Sequence, residues 1–390
     1  MTDDPPTRPE PQPEPGLDAA RPLDRYTPPA CGELDEIGAI LADGRLSGGA
    51  PVVAAYQHAL ATYFGVRRAI AVNSGSSALH AVLHALDVGP ETEVIVPATA
   101  PLPTAMPILT CGATPVLVDT RPGSLALDPA AVEASLSPRT RAAITLPLWG
   151  YPVDNEPAEA VLTKAGVPVV EDACQAHGTR VRDRLAGTLG RAGCLSTHDR
   201  KPLATGEGGF VLTDDEDLAD RVDHFTHLGH LRGDVRGVNY KLAAPLAAIG
   251  LRRLRGLDDH LRRRRAAADR LLAALPADGR LRELPHRVGD TPNYYSLVLT
   301  IDPDTETGPD TRAEAAAVAA ALASVGLPPD SVRYRYRPLP QRTLFRPYRT
   351  PCPNAERLAA GTFQLPVHPG MSEAALRFVA GRIAALATRK

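Results

Sequence analysis

The chain has 390 residues, a length that fits two or three ordinary domains or one large α/β domain with a smaller one attached. Its 43 basic and 45 acidic residues give a formal charge of −2, so neither nucleic acid nor a membrane surface is the expected partner. The five cysteines are scattered without metal-ligand spacing, which argues against a disulfide framework and against a metal site and favours a reducing cytoplasm.

Residues 1–24 begin the chain with an acidic, proline-rich stretch. Such a composition has too few apolar groups to offset the entropy of ordering, so it predicts a disordered tail. The stretch also lacks the basic and apolar parts of a signal peptide, and no apolar run approaches the length of a membrane span. We therefore expect a cytoplasmic protein.

From about residue 69, short β-branched runs alternate with segments whose apolar residues recur at helical spacing. This alternation predicts a mostly parallel sheet covered by helices on both faces. Ligands bind such sheets beyond the carboxyl ends of the strands, so polar residues that follow a strand are the candidates for chemistry. The predicted strands are 69–72, 93–96, 114–118, 142–148 and 167–172.

Two further predicted strands, 193–198 and 208–213, bracket a loop that contains Lys201. After residue 255 the pattern changes to a long basic helix, a strand at 294–301, another helix, an Arg/Pro-rich stretch and a last helix. The sequence thus predicts a large domain over residues 25–255 and a smaller α+β domain over residues 256–390.

The motif "NSGSSALH" places Gly75 and Ser76 between a strand and a helix. Free backbone N–H groups and the helix dipole favour a phosphate at such a position. An ordinary serine N-cap beside a glycine turn is the alternative.

The motif "VVEDACQAHG" ends an apolar strand with Asp172 at the carboxyl edge of the sheet, and Gln175 follows three residues later. The carboxylate has several candidate ligands, namely a cation, a ribose hydroxyl and a protonated ring nitrogen, or it caps the next helix. Gln175 is able to donate a hydrogen bond to the same ligand.

Lys201, in "STHDRKPLATGEGGF", is either an ordinary solvated lysine or the amine that carries a cofactor. Nearby glycines allow the backbone to approach a ligand closely. A phosphate site, an aspartate and a lysine in this order are what an enzyme needs to hold pyridoxal phosphate (PLP), in which the lysine amine bonds to the cofactor.

These motifs, together with "DGRLSGG", "EVIVPA", "CGATPVLVD", "GVNYKLAAPLAAIGLRRL" and "LPVHPGMSE", resemble the DegT/DnrJ/EryC1/StrS sugar aminotransferases from about residue 29 to the C-terminus. The resemblance implies the α/β fold of fold type I PLP-dependent transferases, with a large domain and a smaller C-terminal α+β domain. It also implies a homodimer whose two subunits share their active sites.

The resemblance also implies a role for each matching residue. Lys201 would form the Schiff base and then transfer the proton between substrate and cofactor, and Asp172 would hold the pyridinium nitrogen. Gln175 would bond to the ring oxygen of PLP. The phosphate would be held by Gly75, Ser76, Ser196 and, from the second subunit, Asn239.

The chain departs from the family pattern in two places. Ala100 and Pro101 stand where an aromatic residue that stacks on the cofactor is expected, so that stacking is lost or is supplied by His177 or Trp149; plain packing is the alternative for Trp149. Thr197 replaces a larger phenylalanine. For Cys174, near the other ring face, ordinary packing is expected.

The resulting hypothesis is a PLP-dependent aminotransferase that moves an amino group from glutamate or glutamine to a keto-sugar or keto-cyclitol, in antibiotic or surface-glycan assembly. One alternative is a different PLP reaction: elimination, decarboxylation or carbon–carbon bond formation. The other is a non-catalytic partner or regulator. The arginines of 331–342 are candidates to bind a nucleotide diphosphate or a donor carboxylate, or form a plain exposed loop.

Overall fold

The computed structural model of the protein describes residues 32–277, 279–301 and 309–388. The predicted tail at residues 1–24 lies outside this part of the chain. The strands are β1 (Arg68–Val72), β2 (Glu93–Pro97), β3 (Thr114–Val118), β4 (Thr140–Thr145), β5 (Val169–Asp172), β6 (Arg180–Val181), β7 (Arg184–Leu185), β8 (Ala192–Ser196), β9 (Gly209–Thr213), β10 (Leu281–Glu283), β11 (Leu297–Ile301) and β12 (Thr362–Leu365).

The helices surround these strands in chain order. They are α1 (Glu33–Asp43), α2 (Pro51–Phe64), α3 (Gly75–Ala85), α4 (Leu102–Thr110), α5 (Pro129–Ser135), α6 (Glu156–Lys164), α7 (Glu216–Thr226), α8 (Ala244–Leu254), α9 (Leu257–Leu272), α10 (Pro309–Ser324), α11 (Asp330–Arg333), α12 (Pro353–Gly361) and α13 (Glu373–Ala387).

The central sheet has seven strands in the order β1-β9-β8-β5-β4-β2-β3. The pairs from β8 through β5, β4 and β2 to β3 are parallel, whereas β9 is antiparallel to both of its neighbours. The predicted α/β architecture with a mostly parallel sheet is therefore confirmed.

Side chains of β2 alternate between two buried faces, as the two-residue period of a strand requires. Val94 and Val96 join the hydrophobic cluster that includes α3, α4 and α7, while Ile95 joins the cluster formed with α5 and α6. Helices thus cover both faces of the sheet, which leaves its carboxyl edge as the accessible place for a ligand.

The structure ends the predicted strand 142–148 earlier, at Thr145. Pro147 has no N–H to donate to the sheet, and Trp149 adopts a left-handed conformation with φ of 57° in the turn that follows. β5, in contrast, ends at Asp172 as predicted, so the carboxylate lies at the edge of the sheet.

A second sheet, β10-β11-β12, is antiparallel and follows in the C-terminal part of the chain. One buried cluster includes residues of both sheets, among them Val94 and Leu297. The division into domains 25–255 and 256–390 stays a prediction. Over the described ranges, no helix combines the length and the apolar character needed to cross a membrane.

Candidate active site

The carboxyl ends of the central strands surround a cavity of about 290 Å³. Its wall comprises the first turn of α3, the connection between β2 and α4, the turn after β5 and the loop after β8. This is the edge at which parallel α/β sheets bind ligands. Residues predicted to hold the cofactor that line the cavity are Gly75, Ser76, Asp172, Gln175, Ser196 and Lys201.

The first turn of α3 forms one side of the cavity. Ser74 caps the helix, because its Oγ accepts a hydrogen bond from the Ser77 N–H at 3.0 Å. The N–H groups of Gly75 and Ser76 belong to the turn that has no intrahelical acceptors, and the positive end of the helix dipole points the same way. The serine cap and an anion site are therefore compatible, and the two interpretations of this motif do not exclude each other.

Gly75 is held against the turn and the strand behind it. A Cβ atom built on Gly75 would lie 2.6 Å from Cys174 Sγ and 2.8 Å from Ser196 Cβ. Only glycine therefore lets the helix begin this close to Ser196. The Oγ of Ser196 accepts a bond from the His198 N–H at 3.3 Å, which leaves its hydroxyl hydrogen available for a ligand.

Asp172 is buried, with 4% of its surface exposed, and both of its oxygens accept hydrogen bonds. Thr104 Oγ1 donates to Oδ2 at 2.5 Å, and the Cys174 N–H donates to Oδ1 at 3.1 Å. These bonds fix the carboxylate while each oxygen keeps a lone pair for a ligand.

The alternative that Asp172 caps a helix is wrong, because turns and not a helix follow β5. Thr104, on α4, was not among the predicted residues. It is separated from Asp172 by 68 positions in the chain, and no local motif links the two.

Gln175 is oriented by the turn that follows β4. Its Oε1 accepts a bond from the Trp149 N–H at 2.7 Å, so the amide nitrogen remains as a donor. The indole Nε1 of Trp149 donates to Asp330 Oδ2 at 2.8 Å. Trp149 therefore links Gln175 to the C-terminal part of the chain.

The stacking face of the cavity contains proline. Ala100 is fully buried, whereas Pro101 and Pro103 line the cavity. Neither Trp149 nor His177 is among the lining residues, and Trp149 serves packing and the two hydrogen bonds described above. Within the described residues no Phe, Tyr or Trp side chain lines this cavity.

His177 is buried behind the cavity, in edge contact with the ring of Phe210. Burial, and to a smaller degree the positive charge of Lys201, lowers the pKa of His177 to about 3. The imidazole is therefore neutral at physiological pH and carries no charge toward the site.

Lys201 is half-buried in the loop between β8 and β9. Its N–H donates to the His198 carbonyl at 2.8 Å, and its Nζ lies 4.5 Å from the centre of the Tyr295 ring. The Tyr295 N–H donates to Asn293 Oδ1 at 2.7 Å, which holds that ring in place. The alternative of an ordinary solvated lysine does not fit this environment, because the ring face attracts the ammonium group into the cavity.

Cys174 and Thr197 have structural contacts. The Cys174 thiol donates to the Cys194 carbonyl at 3.6 Å, and burial raises the pKa of this thiol well above its usual value, so it is protonated. Thr197 is buried and shares a hydrogen bond of 2.6 Å with Thr205.

Asn239 is exposed and does not line the cavity of its own chain. Its neighbour Tyr240 lies beside the cavity, because the Tyr240 carbonyl accepts a bond from the Asn73 N–H at 2.8 Å, one residue before Ser74. Asn239 thus lies on the surface near the site, without reaching into it.

Comparison with known proteins gives three findings that agree with this geometry. Residues 31–384 match the model of the DegT/DnrJ/EryC1/StrS aminotransferase family. GDP-perosamine synthase of Caulobacter vibrioides is 39% identical over 217 residues, which cover 53% of this chain and 57% of that protein. The L-glutamine:2-deoxy-scyllo-inosose aminotransferase of Streptomyces paromomycinus is 31% identical over 94% of this chain and 90% of that protein.

A solved structure gives the same result for the fold. The aminotransferase TlmJ from Streptoalloteichus hindustanus superposes with a TM-score of 0.82 and 29% identity, over 92% of this chain and 96% of that chain. The transferase fold predicted from the sequence is confirmed by this likeness.

Proposed function

Because the chain belongs to the DegT/DnrJ/EryC1/StrS aminotransferase family, we propose that it uses PLP to transfer an amino group from glutamate or glutamine to a keto-sugar or keto-cyclitol. The proposal rests on one observation: a helix N-terminus, a buried carboxylate and a lysine amine meet in one cavity at the carboxyl edge of the sheet. The known relatives support the choice of substrates, since their names include a GDP-linked amino sugar and a glutamine-dependent inosose aminotransferase.

The donors around the cavity fit PLP, which supplies an aldehyde that takes up the amino group and a ring that withdraws electrons. We assign the phosphate to the N–H groups of Gly75 and Ser76 and to the hydroxyl of Ser196. The close approach of Gly75 to Ser196 supports this assignment, because it brings both kinds of donor to the same place.

Asp172 would keep the ring nitrogen protonated. A charge-assisted hydrogen bond of this kind contributes about 1.5–3 kcal/mol, and the retained proton makes the ring a better electron acceptor. The bonds from Thr104 and the Cys174 N–H support this role, because they prevent the carboxylate from rotating away.

Gln175 would donate its amide N–H to the ring oxygen of the cofactor. The bond from the Trp149 N–H to Oε1 supports this orientation, since a backbone N–H is never an acceptor. The orientation of the amide therefore follows from the bond itself.

Lys201 would anchor the cofactor covalently and, once the donor's amino group has displaced it, transfer the proton between substrate carbon and cofactor carbon. The ring of Tyr295 keeps the released amine beside the cavity. The hydrogen bond from the Lys201 N–H to the His198 carbonyl fixes the backbone from which the side chain extends.

Asn239 would bind the phosphate of a partner subunit, which makes the enzyme a homodimer with shared sites. Its exposure, and its position outside its own cavity, support action across an interface.

Mixing two inactive or weakened chains tests this role. An Asn239→Ala chain combined with a Lys201→Ala chain should recover activity at a low PLP concentration, because each mixed dimer then contains one intact site. If Asn239 acted within its own chain, the mixture would be no more active than the Asn239→Ala chain it contains.

The donor half-reaction tests the function itself. The PLP-loaded protein, mixed with L-glutamine or L-glutamate in the absence of an acceptor, should lose the visible absorbance of covalently bound PLP and gain that of the pyridoxamine form. Unchanged absorbance with both donors would contradict transamination and favour another PLP reaction. Failure of the protein to bind PLP at all would favour the non-catalytic alternative.

A further inference from the structure

Residues 330–342 cross the mouth of the cavity. The Tyr336 hydroxyl donates to the Thr99 carbonyl at 2.5 Å, and the Leu339 N–H donates to the Ala98 carbonyl at 2.8 Å. Both acceptors follow β2 directly, and Pro101 of the same connection lines the cavity. The arginine-rich segment noted in the sequence is thus docked beside the site.

Asp330 anchors the start of this segment. Its Oδ2 accepts the bond from Trp149, and its N–H donates to Gln364 Oε1 at 3.0 Å. Burial raises the pKa of Asp330, while the positive charges of Arg333, Arg200 and Lys201 act in the opposite direction. The three cations are therefore within electrostatic reach of one carboxylate.

Tyr334 lies between two of these cations. The guanidinium carbon of Arg200 is 5.3 Å from the centre of its ring, and that of Arg333 is 5.8 Å away. Arg200 directly precedes Lys201, whose side chain lines the cavity. A guanidinium group that lies over a ring keeps its N–H edge available for a second, in-plane partner.

We propose that Arg200 and Arg333, separated by Tyr334, bind the anionic group of a substrate at the mouth of the cavity. The inference rests on the proposed function, which requires an anionic amino donor and permits a nucleotide-linked acceptor. Carboxylate and diphosphate oxygens share the chemistry that guanidinium groups recognise through paired N–H donors. An anion between the two arginines would also relieve the repulsion between their like charges.

Arg337 provides a matched control. It belongs to the same segment and is exposed, and its side chain makes neither of the two ring contacts described above. Its replacement by alanine removes the same charge from the same surface without touching the pair around Tyr334.

Calorimetric titration of the PLP-loaded protein tests the proposal, with glutarate as the carboxylate probe and inorganic pyrophosphate as the diphosphate probe. Arg200→Ala and Arg333→Ala should each weaken at least one probe by about tenfold or more, the loss expected for one charge-assisted contact. Arg337→Ala should leave both dissociation constants within about twofold, in the range of an exposed, unpaired charge. Loss of glutarate binding identifies the donor carboxylate as the ligand, and loss of pyrophosphate binding identifies the acceptor diphosphate.

Equal binding of both probes by wild type, Arg200→Ala and Arg333→Ala would overturn the proposal, as would the failure of wild type to bind either probe. A conservative Arg200→Lys variant separates charge from geometry, since it keeps the charge and loses the paired donors. The visible absorbance of bound PLP is recorded for every variant. Normal absorbance with unchanged probe binding contradicts this inference alone, whereas absent absorbance contradicts the proposed function.

Discussion

Replacing Lys201 with alanine should abolish the visible absorbance of covalently bound PLP and reduce amino transfer at least about 10⁴-fold, since both a nucleophile and an acid/base group are lost. The phosphate cradle and Asp172 remain, so PLP should still bind noncovalently. Absorbance spectroscopy measures the first effect, and the donor half-reaction measures the second.

Two variants serve as controls for this experiment. Lys164→Ala removes an exposed lysine on α6 and should change neither the absorbance nor the rate. Lys201→Arg keeps a cation near Tyr295 but cannot bond to the cofactor, and it should be as inactive as Lys201→Ala. A Lys201→Ala protein that retained the absorbance would show that another amine carries the cofactor.

Replacing Asp172 with asparagine should slow the donor half-reaction by about 10²–10³-fold, the cost typical of removing one electrostatic contact from a preorganised site. Asparagine has nearly the same shape but carries no charge, so it cannot hold the ring nitrogen in its protonated form. The rate constant at saturating donor is the quantity to measure, with a thermal unfolding curve to verify that the variant is folded.

Thr104→Val provides a graded comparison for Asp172→Asn. It removes one of the two bonds that orient the carboxylate but leaves the charge, so it should cost less than the asparagine substitution. An Asp172→Asn rate within about twofold of wild type would exclude the proposed role, because a lost charge contact at a reacting ring costs far more.

Much of the site could be predicted because its residues follow the ends of strands. The motifs around Gly75, Asp172 and Lys201 are short, and each lies where an apolar run gives way to polar residues. In a parallel sheet the carboxyl ends of the strands meet at one edge, so local motifs far apart in the chain converge without any long-range information. The cavity joins these three residues for that reason.

The remaining contacts depend on long-range packing. The bond between Thr104 and Asp172 joins residues 68 positions apart, and that between Trp149 and Asp330 joins residues 181 positions apart. Neither pair leaves a periodic signal in the sequence. The expectation that Trp149 or His177 might cover the cofactor was wrong for the same reason, because only the fold shows that neither lines the cavity.

The short strands of the second sheet could not be predicted either. β10 and β12 contain three and four residues, and their pairing with β11 stabilises them more than any local preference does. The arginines of 331–342 show the same limit. The sequence leaves them as either a ligand site or an exposed loop, and only their packing around Tyr334 distinguishes Arg333 from Arg337.

The most direct test of the account is the position of the covalent link to PLP. The chain has four lysines, at positions 164, 201, 241 and 390, so reduction of the PLP-loaded protein with borohydride followed by peptide mass analysis gives an unambiguous assignment. We predict that the added mass appears on Lys201 alone. A label on any other lysine, or no label on a protein that holds PLP, would contradict the claim that this cavity is the site of amino transfer.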